Sequence, residues 1–240
     1  MKARRTRSGE VDPYAELRDE SEAELFDRVR RAFRAGLSRT MAALGDEPDM
    51  ARLDYAYQQA EREALTAAIL PALERNALGA TVVQTEGAKA APLVLPVTWD
   101  EAVIASAATA WAARYVGELV REITDHTMGL IRRAVANWID TPGLTIGDLR
   151  RTLEPAFGEM RAQRIAVTET TRAFAEGQKL VQADLARGGL GLVREWRTSM
   201  DERVCPICGA LEDRRETDGW DGYDGPPAHV NCRCWTVLAL

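Results

Sequence analysis

The chain has 240 residues, 46% of them hydrophobic and 28% charged, with a formal net charge of -6. That length suits one large domain or two small ones with a core of their own. The negative balance argues against a dedicated binder of nucleic acid or anionic membrane, and no apolar run approaches the roughly 20 residues of a spanning helix.

Residues 1–12 carry Lys2, Arg4, Arg5 and Arg7 with little apolar matter, and read as a flexible basic tail that is the best place for a DNA contact. No apolar stretch of signal-peptide type follows them. From about Pro13 to Leu44, Phe26, Val29, Phe33, Leu37, Met41 and Leu44 recur at three- and four-residue steps, the period of an amphipathic helix. Gly45-Asp46-Glu47-Pro48 breaks it. A second helix is expected near 49–78, with Leu53, Tyr57, Ala60, Ala64 and Ala67/Ala68 on one side, kinked or ended by Pro71. Residues 79–98, with Val82, Val83, Leu93, Val94, Leu95 and Val97 among Gly and Pro, read as extended chain, so 13–95 forms an N-terminal helical region with an extended linker.

Thr98-Trp99-Asp100-Glu101 reads as a capping box that opens a long helix to about Ile139. Val103, Ala107, Trp111, Tyr115, Leu119 and Ile123 share its inner face, and Gly129 is the expected break. His126 reads as a solvated helix histidine. A short helix from Thr145 through Phe157 is interrupted by Pro155. The next, from about Glu159 to Arg187, is ended by Gly188-Gly189 and buries Ala166/Val167, Ala173/Phe174 and Leu180/Val181. Glu169 and Arg172, three apart, read as a surface ion pair, and Thr168-Glu169 as a possible brace for the C-terminal module. Leu192–Thr198 and Arg233–Leu240 read as two strands of a small antiparallel sheet that brackets the loop between them. The fold class is therefore α+β, predominantly helical: long helices, then a small sheet with a zinc-knuckle-like module over 192–240.

All four cysteines and one of the two histidines lie in that loop. Cys205-Pro-Ile-Cys208 places two thiols in one tight turn, and His229-x-x-Cys232-x-Cys234 supplies a second cluster twenty residues on. Two close pairs of N and S ligands suit tetrahedral Zn²⁺. Cys205, Cys208, His229 and Cys232 are the preferred set, with Cys234 the alternative fourth ligand; two disulfides are the competing use of the thiols. The site reads as structural. His-Glu-x-x-His is absent, His229 follows the knuckle instead of preceding it as in zinc deaminases, and an HNH-type pairing lacks its second His, so no catalytic residue is assigned. Eight acids (Asp201, Glu202, Glu212, Asp213, Glu216, Asp218, Asp221, Asp224) face only Arg203, Arg214 and Arg215 across 201–225, a balance that repels phosphate.

Two blocks carry a resemblance. Arg161-x-x-Arg164-Ile-Ala-x-Thr168-Glu169-Thr170-x-Arg172-Ala173 on a helix is followed by the Trp196 strand, Asp201-x-Arg-Val-Cys205-x-x-Cys208, and Pro226-Pro-x-His229-x-Asn231-Cys232-Arg233-Cys234. Together they resemble the phage Mu F-type head morphogenesis family over about residues 96–240. The resemblance implies a minor head protein of a phage or prophage, present in few copies. It implies contacts with the portal and with capsid or scaffold proteins, action in procapsid assembly and DNA packaging or delivery, and no membrane. It places the chain in the host cytoplasm during assembly and then in the procapsid or virion interior. Arg164, Thr168, Glu169, Arg172, Trp196 and Asp201 become structural motif positions, and the zinc a structural ion. A metal-dependent nuclease or hydrolase, and a prophage-derived toxin-related adaptor module, are the alternatives.

Overall fold

The computed structural model describes residues 12–90, 100–199 and 204–239. Five helices carry most of it: α1 (Ala15–Leu44), α2 (Tyr55–Ala90), α3 (Glu101–Asp140), α4 (Ile146–Leu153) and α5 (Glu159–Arg187). Strand β1 (Val193–Arg197), the one-turn helix α6 (Pro206–Leu211) and strand β2 (Trp235–Ala239) follow. The strands pair antiparallel, Val193 opposite Ala239 and Arg197 opposite Trp235, so the sheet brackets the cysteine loop as the two strand-like runs imply. This is an α+β fold dominated by helix. The expected basic tail lies, but for Asp12, outside the described residues.

α1 buries Val29, Phe33, Leu37 and Leu44 with Phe26 and Met41 at the margin, the stripe read from its period. Gly45 at φ 70° ends it, donating its N–H to the Met41 carbonyl at 3.1 Å. α2 departs from expectation in three ways. Its buried side is Leu65, Ile69, Leu73 and Ala77, while Ala60 and Ala67 face solvent. An alanine stripe offers little apolar area, and the helix turns its bulkier side chains to the core. Pro71 lies inside the helix without ending it. Both Pro71 and Ala67, whose carbonyl loses its i+4 donor there, are exposed, so water can serve that carbonyl.

The helix then runs through 79–90, where extended chain is expected; residues 91–99 lie outside the described residues. Packing overrides the β-branched content here. Ala80, Thr81 and Thr85 are buried, and the two threonine hydroxyls donate to the Leu78 and Val82 carbonyls at 2.7 and 3.1 Å. Against this segment lies Gly177 of α5. A Cβ there would stand 2.4 Å from the Ala77 carbonyl oxygen and 2.7 Å from the Ala80 Cβ, so α2 and α5 cross backbone to backbone.

α3 is unbroken at Gly129. Its cap is Asp100, whose carboxylate accepts from the Ala102 and Val103 amides at 3.0 and 3.1 Å; Thr98 lies outside the described residues. Over the first half the inner face sits one residue later than the aromatic pattern implies, with Ile104, Ala108, Ala112 and Val116 buried and Val103 exposed, while Leu119 and Ile123 are buried as expected. Small alanines let α3 approach its neighbours, while Trp111 and Tyr115 stack on each other at the margin, ring centroids 5.1 Å apart. α4 opens with the Thr145/Asp148 capping box, and a 3-10 turn over Glu154–Phe157 absorbs Pro155. One apolar core draws on α1 to α5, from Leu25 to Ala173. α5 is buried on most of its circumference and packs against α1, α2 and β2.

Candidate metal centre

Cys205 caps α6, and its Sγ accepts from the Cys208 amide at 3.4 Å, so the Cys-x-x-Cys turn is a helix start with both sulfurs on one side. The chain then adds to the edge of β1. The Trp196 amide donates to the Arg214 carbonyl at 2.9 Å, and the Asp213 amide to the Trp196 carbonyl at 3.0 Å. Trp196, fully buried, meets Trp220 edge-on at 5.3 Å; with Leu211, Cys208, Cys232 and Cys234 they make a second small core around the sulfurs.

The returning segment is held from the helices. Asn231, at φ 65°, turns the chain in the left-handed region that Asn tolerates better than most residues. Its amide donates to Thr168 Oγ1 at 3.0 Å. Thr171 Oγ1 donates to the Cys232 carbonyl at 2.7 Å. From α1, Arg18 donates to the Arg233 carbonyl at 2.7 Å, and Glu22 pairs with the Arg233 guanidinium at 2.9 Å. Arg18 itself is fully buried, paired with Asp12 at 3.2 Å and lying over the Trp235 ring at 5.6 Å.

These supports bring the sequence-predicted ligands together. His229 Nε2 lies 3.0 Å from Cys205 Sγ and 3.2 Å from Cys208 Sγ, and Cys208 Sγ lies 3.7 Å from Cys232 Sγ. Two triads result, Cys205–Cys208–His229 and Cys208–Cys232–Cys234, with ligand atoms of each within 4.8 Å of one another and Cys208 common to both. Cys232 and Cys234 both reach the cluster. The four cysteines are free thiols rather than disulfides.

A Zn–S bond of about 2.3 Å sets a tetrahedral edge of about 3.8 Å, close to the Cys208–Cys232 separation. His229 Nδ1 lies 2.8 Å from the Val230 carbonyl; placing the proton there leaves Nε2 free to ligate. The donor types and the spacing within each triad suit a tetrahedral thiophilic ion, while no four of the donors lie mutually within 4.8 Å among the described residues. The thiols of the cluster ionise unequally: hydrogen bonding to Cys232 and Cys234, with burial, raises Cys208, and Cys234 is raised as well. The Cys232 thiol is pulled well below its usual range by hydrogen bonding from Cys208 and Cys234, against the opposing effect of burial. At Cys205 burial is outweighed by the Cys208 amide and neighbouring groups, and its thiol too is lowered. No carboxylate belongs to either triad among the described residues.

The acidic loop is better compensated than its own stretch suggests. Arg194 and Arg197 of β1 and Lys179 of α5 pair with Glu216 at 2.8 Å, Asp213 at 2.8 Å and Asp224 at 2.5 Å, while Arg214 takes Asp221 at 2.9 Å. Three of those four cations lie outside the 201–225 window.

The helical motif divides. Thr168 braces the loop; Arg164 is exposed and lies in a groove beside it. Glu169 is not part of a surface pair: it is buried, accepts from the Tyr115 hydroxyl at 2.7 Å and meets Arg172 at 3.3 Å. Burial, opposed by Arg172 and Tyr115, raises its carboxyl pKa. Asp201 lies outside the described residues. Thr171, Arg18 and Glu22 escaped the sequence reading. Thr171 carried a signal, since spacing of three from Thr168 puts both hydroxyls on one helix face; Arg18 and Glu22, over 200 residues from Arg233, carried none.

No curated protein and no solved structure matches the chain significantly. A family model described as Phage Mu protein F like protein matches residues 130–237, from the second half of α3 through α4, α5 and the cysteine loop into β2. The match begins later than residue 96, and it contains both the helical motif and every candidate ligand. Residues 130–237 of the chain are thus similar to the Phage Mu protein F like family.

Proposed function

We propose that the chain is a phage or prophage minor head protein, acting in procapsid assembly and in DNA packaging or delivery through contacts with the portal and with capsid or scaffold proteins. The observation that carries this reading is the family match over a segment that also contains the assembled Cys/His cluster. Its places are the host cytoplasm during assembly and then the procapsid or virion interior. The basic residues before Asp12 are the proposed DNA contact, and the domain proper is proposed to start near residue 96. No described helix is long and apolar enough to cross a membrane.

Within this reading the cluster holds a structural zinc through Cys205, Cys208, His229 and Cys232. Cys232 is preferred over Cys234 on the 3.7 Å separation of its sulfur from Cys208. Bound zinc supplies a cross-link between the two ends of a loop whose apolar cluster is small. Four protein ligands leave no open position for a reactive water, and no catalytic residue is proposed.

Quantitative mass spectrometry of purified particles tests the role. A few copies per particle, far below the major capsid protein, are expected. Absence from both procapsids and virions overturns it and turns attention to metal-dependent nuclease activity of the purified protein.

A further inference from the structure

A groove of about 820 Å³ runs beside the metal loop, between the second half of α3, the turn after α4 and the first half of α5, with Val230 of the loop at its edge. Its lining is largely apolar, with Leu130, Leu153 and Ile165 among the contributors. Met160 and Val230 at its lip are 71% and 58% exposed, so the apolar lining continues out to the surface.

The charges in the groove are one-sided. Arg133, Arg161 and Arg164 line it with His126, and none of the three arginines forms an ion pair among the described residues. Arg133 and Arg164 are exposed. Arg161 is largely sunk beneath them. It donates to Thr127 Oγ1 at 2.8 Å and to the Ala156 and Ile123 carbonyls at 2.7 and 3.1 Å, and lies over the Phe33 ring at 5.1 Å. All of those partners are neutral, so its charge is solvated but not balanced, and burial lowers its pKa to about 10. Glu169, the carboxylate of the lining, is already engaged by Tyr115 and Arg172.

We propose that this groove docks an acidic amphipathic segment of a partner protein. Apolar side chains at helical spacing sit on the floor, and carboxylates face Arg133 and Arg164 with Arg161 behind them. A nucleic acid fits less well: the lining has no Phe, Tyr or Trp on which a base could stack, and the whole chain is acidic. The charge and shape of the groove hold whether or not the chain is a head protein.

The test is to pan a displayed library of random 16-residue peptides against the full chain. Enriched sequences are then measured by fluorescence anisotropy against the wild type and an Arg133→Glu/Arg164→Glu variant, both exposed positions whose change leaves the helical circular dichroism intact. The expected result is enrichment of Asp- and Glu-rich sequences with apolar residues three and four apart. Their affinity should fall at least tenfold for the double variant and for peptide versions with Lys in place of Glu. No enrichment, enrichment of neutral or basic sequences, or equal binding to the variant overturns the proposal. Displacement of the peptides by a 20-nucleotide oligo-dT that itself binds more tightly assigns the groove to nucleic acid instead.

Discussion

Thr168 and Thr171 hold the backbone of Asn231 and Cys232 from one face of α5, so the position of a candidate ligand is set by a helix and not by its own loop. Replacing Thr171 with Val keeps the shape and removes the donor to the Cys232 carbonyl. With the proposed zinc bound, metal affinity should drop about tenfold or more, as when other outer hydrogen bonds to ligands are lost. Stability should fall by about 1–2 kcal/mol. Competition against a chromophoric chelator reads the first and thermal unfolding the second, and Thr171→Ser should restore both.

Glu216 offers a pH test at the same scale. Burial opposes its ionisation, but the Arg194 amide, Gln182 and the Arg194 guanidinium outweigh it and hold the carboxyl below its ordinary 4.5. A depressed folded pKa contributes stability above the unfolded value, and that contribution is lost as pH falls through the folded one. Glu216→Gln should therefore lower stability by about 1 kcal/mol at pH 7, and its melting temperature should converge on wild type as pH falls below 4.5 and through the folded value.

At the scale of the element, the α2–α5 crossing is the most exacting contact. Helix propensity alone favours Gly177→Ala by up to about 1 kcal/mol. The crossing reverses that sign, because the added methyl would meet the Ala77 carbonyl oxygen at 2.4 Å. Destabilisation of about 1–3 kcal/mol or more is expected in urea unfolding, and a stabilised variant would refute the packing described. The same crossing shows where periodicity ran out. α1 had one broad apolar stripe and one layer to face, and its buried side was legible. α2 and α3 are alanine-rich and flanked on several sides, so the pattern left their inner faces uncertain by a residue or more. Pro71 and the valines after Gly79 read as breaks because local preference argues against helix there; burial of Ala77, Ala80 and Thr81 decided otherwise.

Over the whole molecule, the described residues form a large helical core, two small clusters around Phe174 and Leu185, and, at the cysteine loop, a further cluster pinned to the helices by Thr168, Thr171, Arg18 and Glu22. The cysteine-loop cluster has few apolar side chains, so its order should depend on the proposed ion more than the bundle's does. Chelation, or Cys208→Ser at the sulfur both triads share, should raise amide hydrogen exchange across 204–235 and in β1. The amides of α3 around Val116–Ile123 should remain protected. Equal loss of protection in both regions would mean that bundle and loop unfold as one unit.

The sequence by itself determined the class of the protein and the makeup of its candidate site. Periodicity, capping signals and two strand-like runs specified a helical chain ending in a two-stranded sheet, because those signals are local. The Cys-x-x-Cys and His-x-x-Cys-x-Cys spacings named every residue of the two triads, because donor chemistry is carried by residue type. Tertiary structure alone decided which faces of α2 and α3 are buried, that α2 continues past Gly79, and that Glu169 is interior. It also decided that the acidic loop is balanced by arginines and a lysine from β1 and α5, and that α1 grips the far end of the chain through Arg18 and Glu22. Each of these depends on residues distant in sequence meeting in space, and no local propensity records such a meeting.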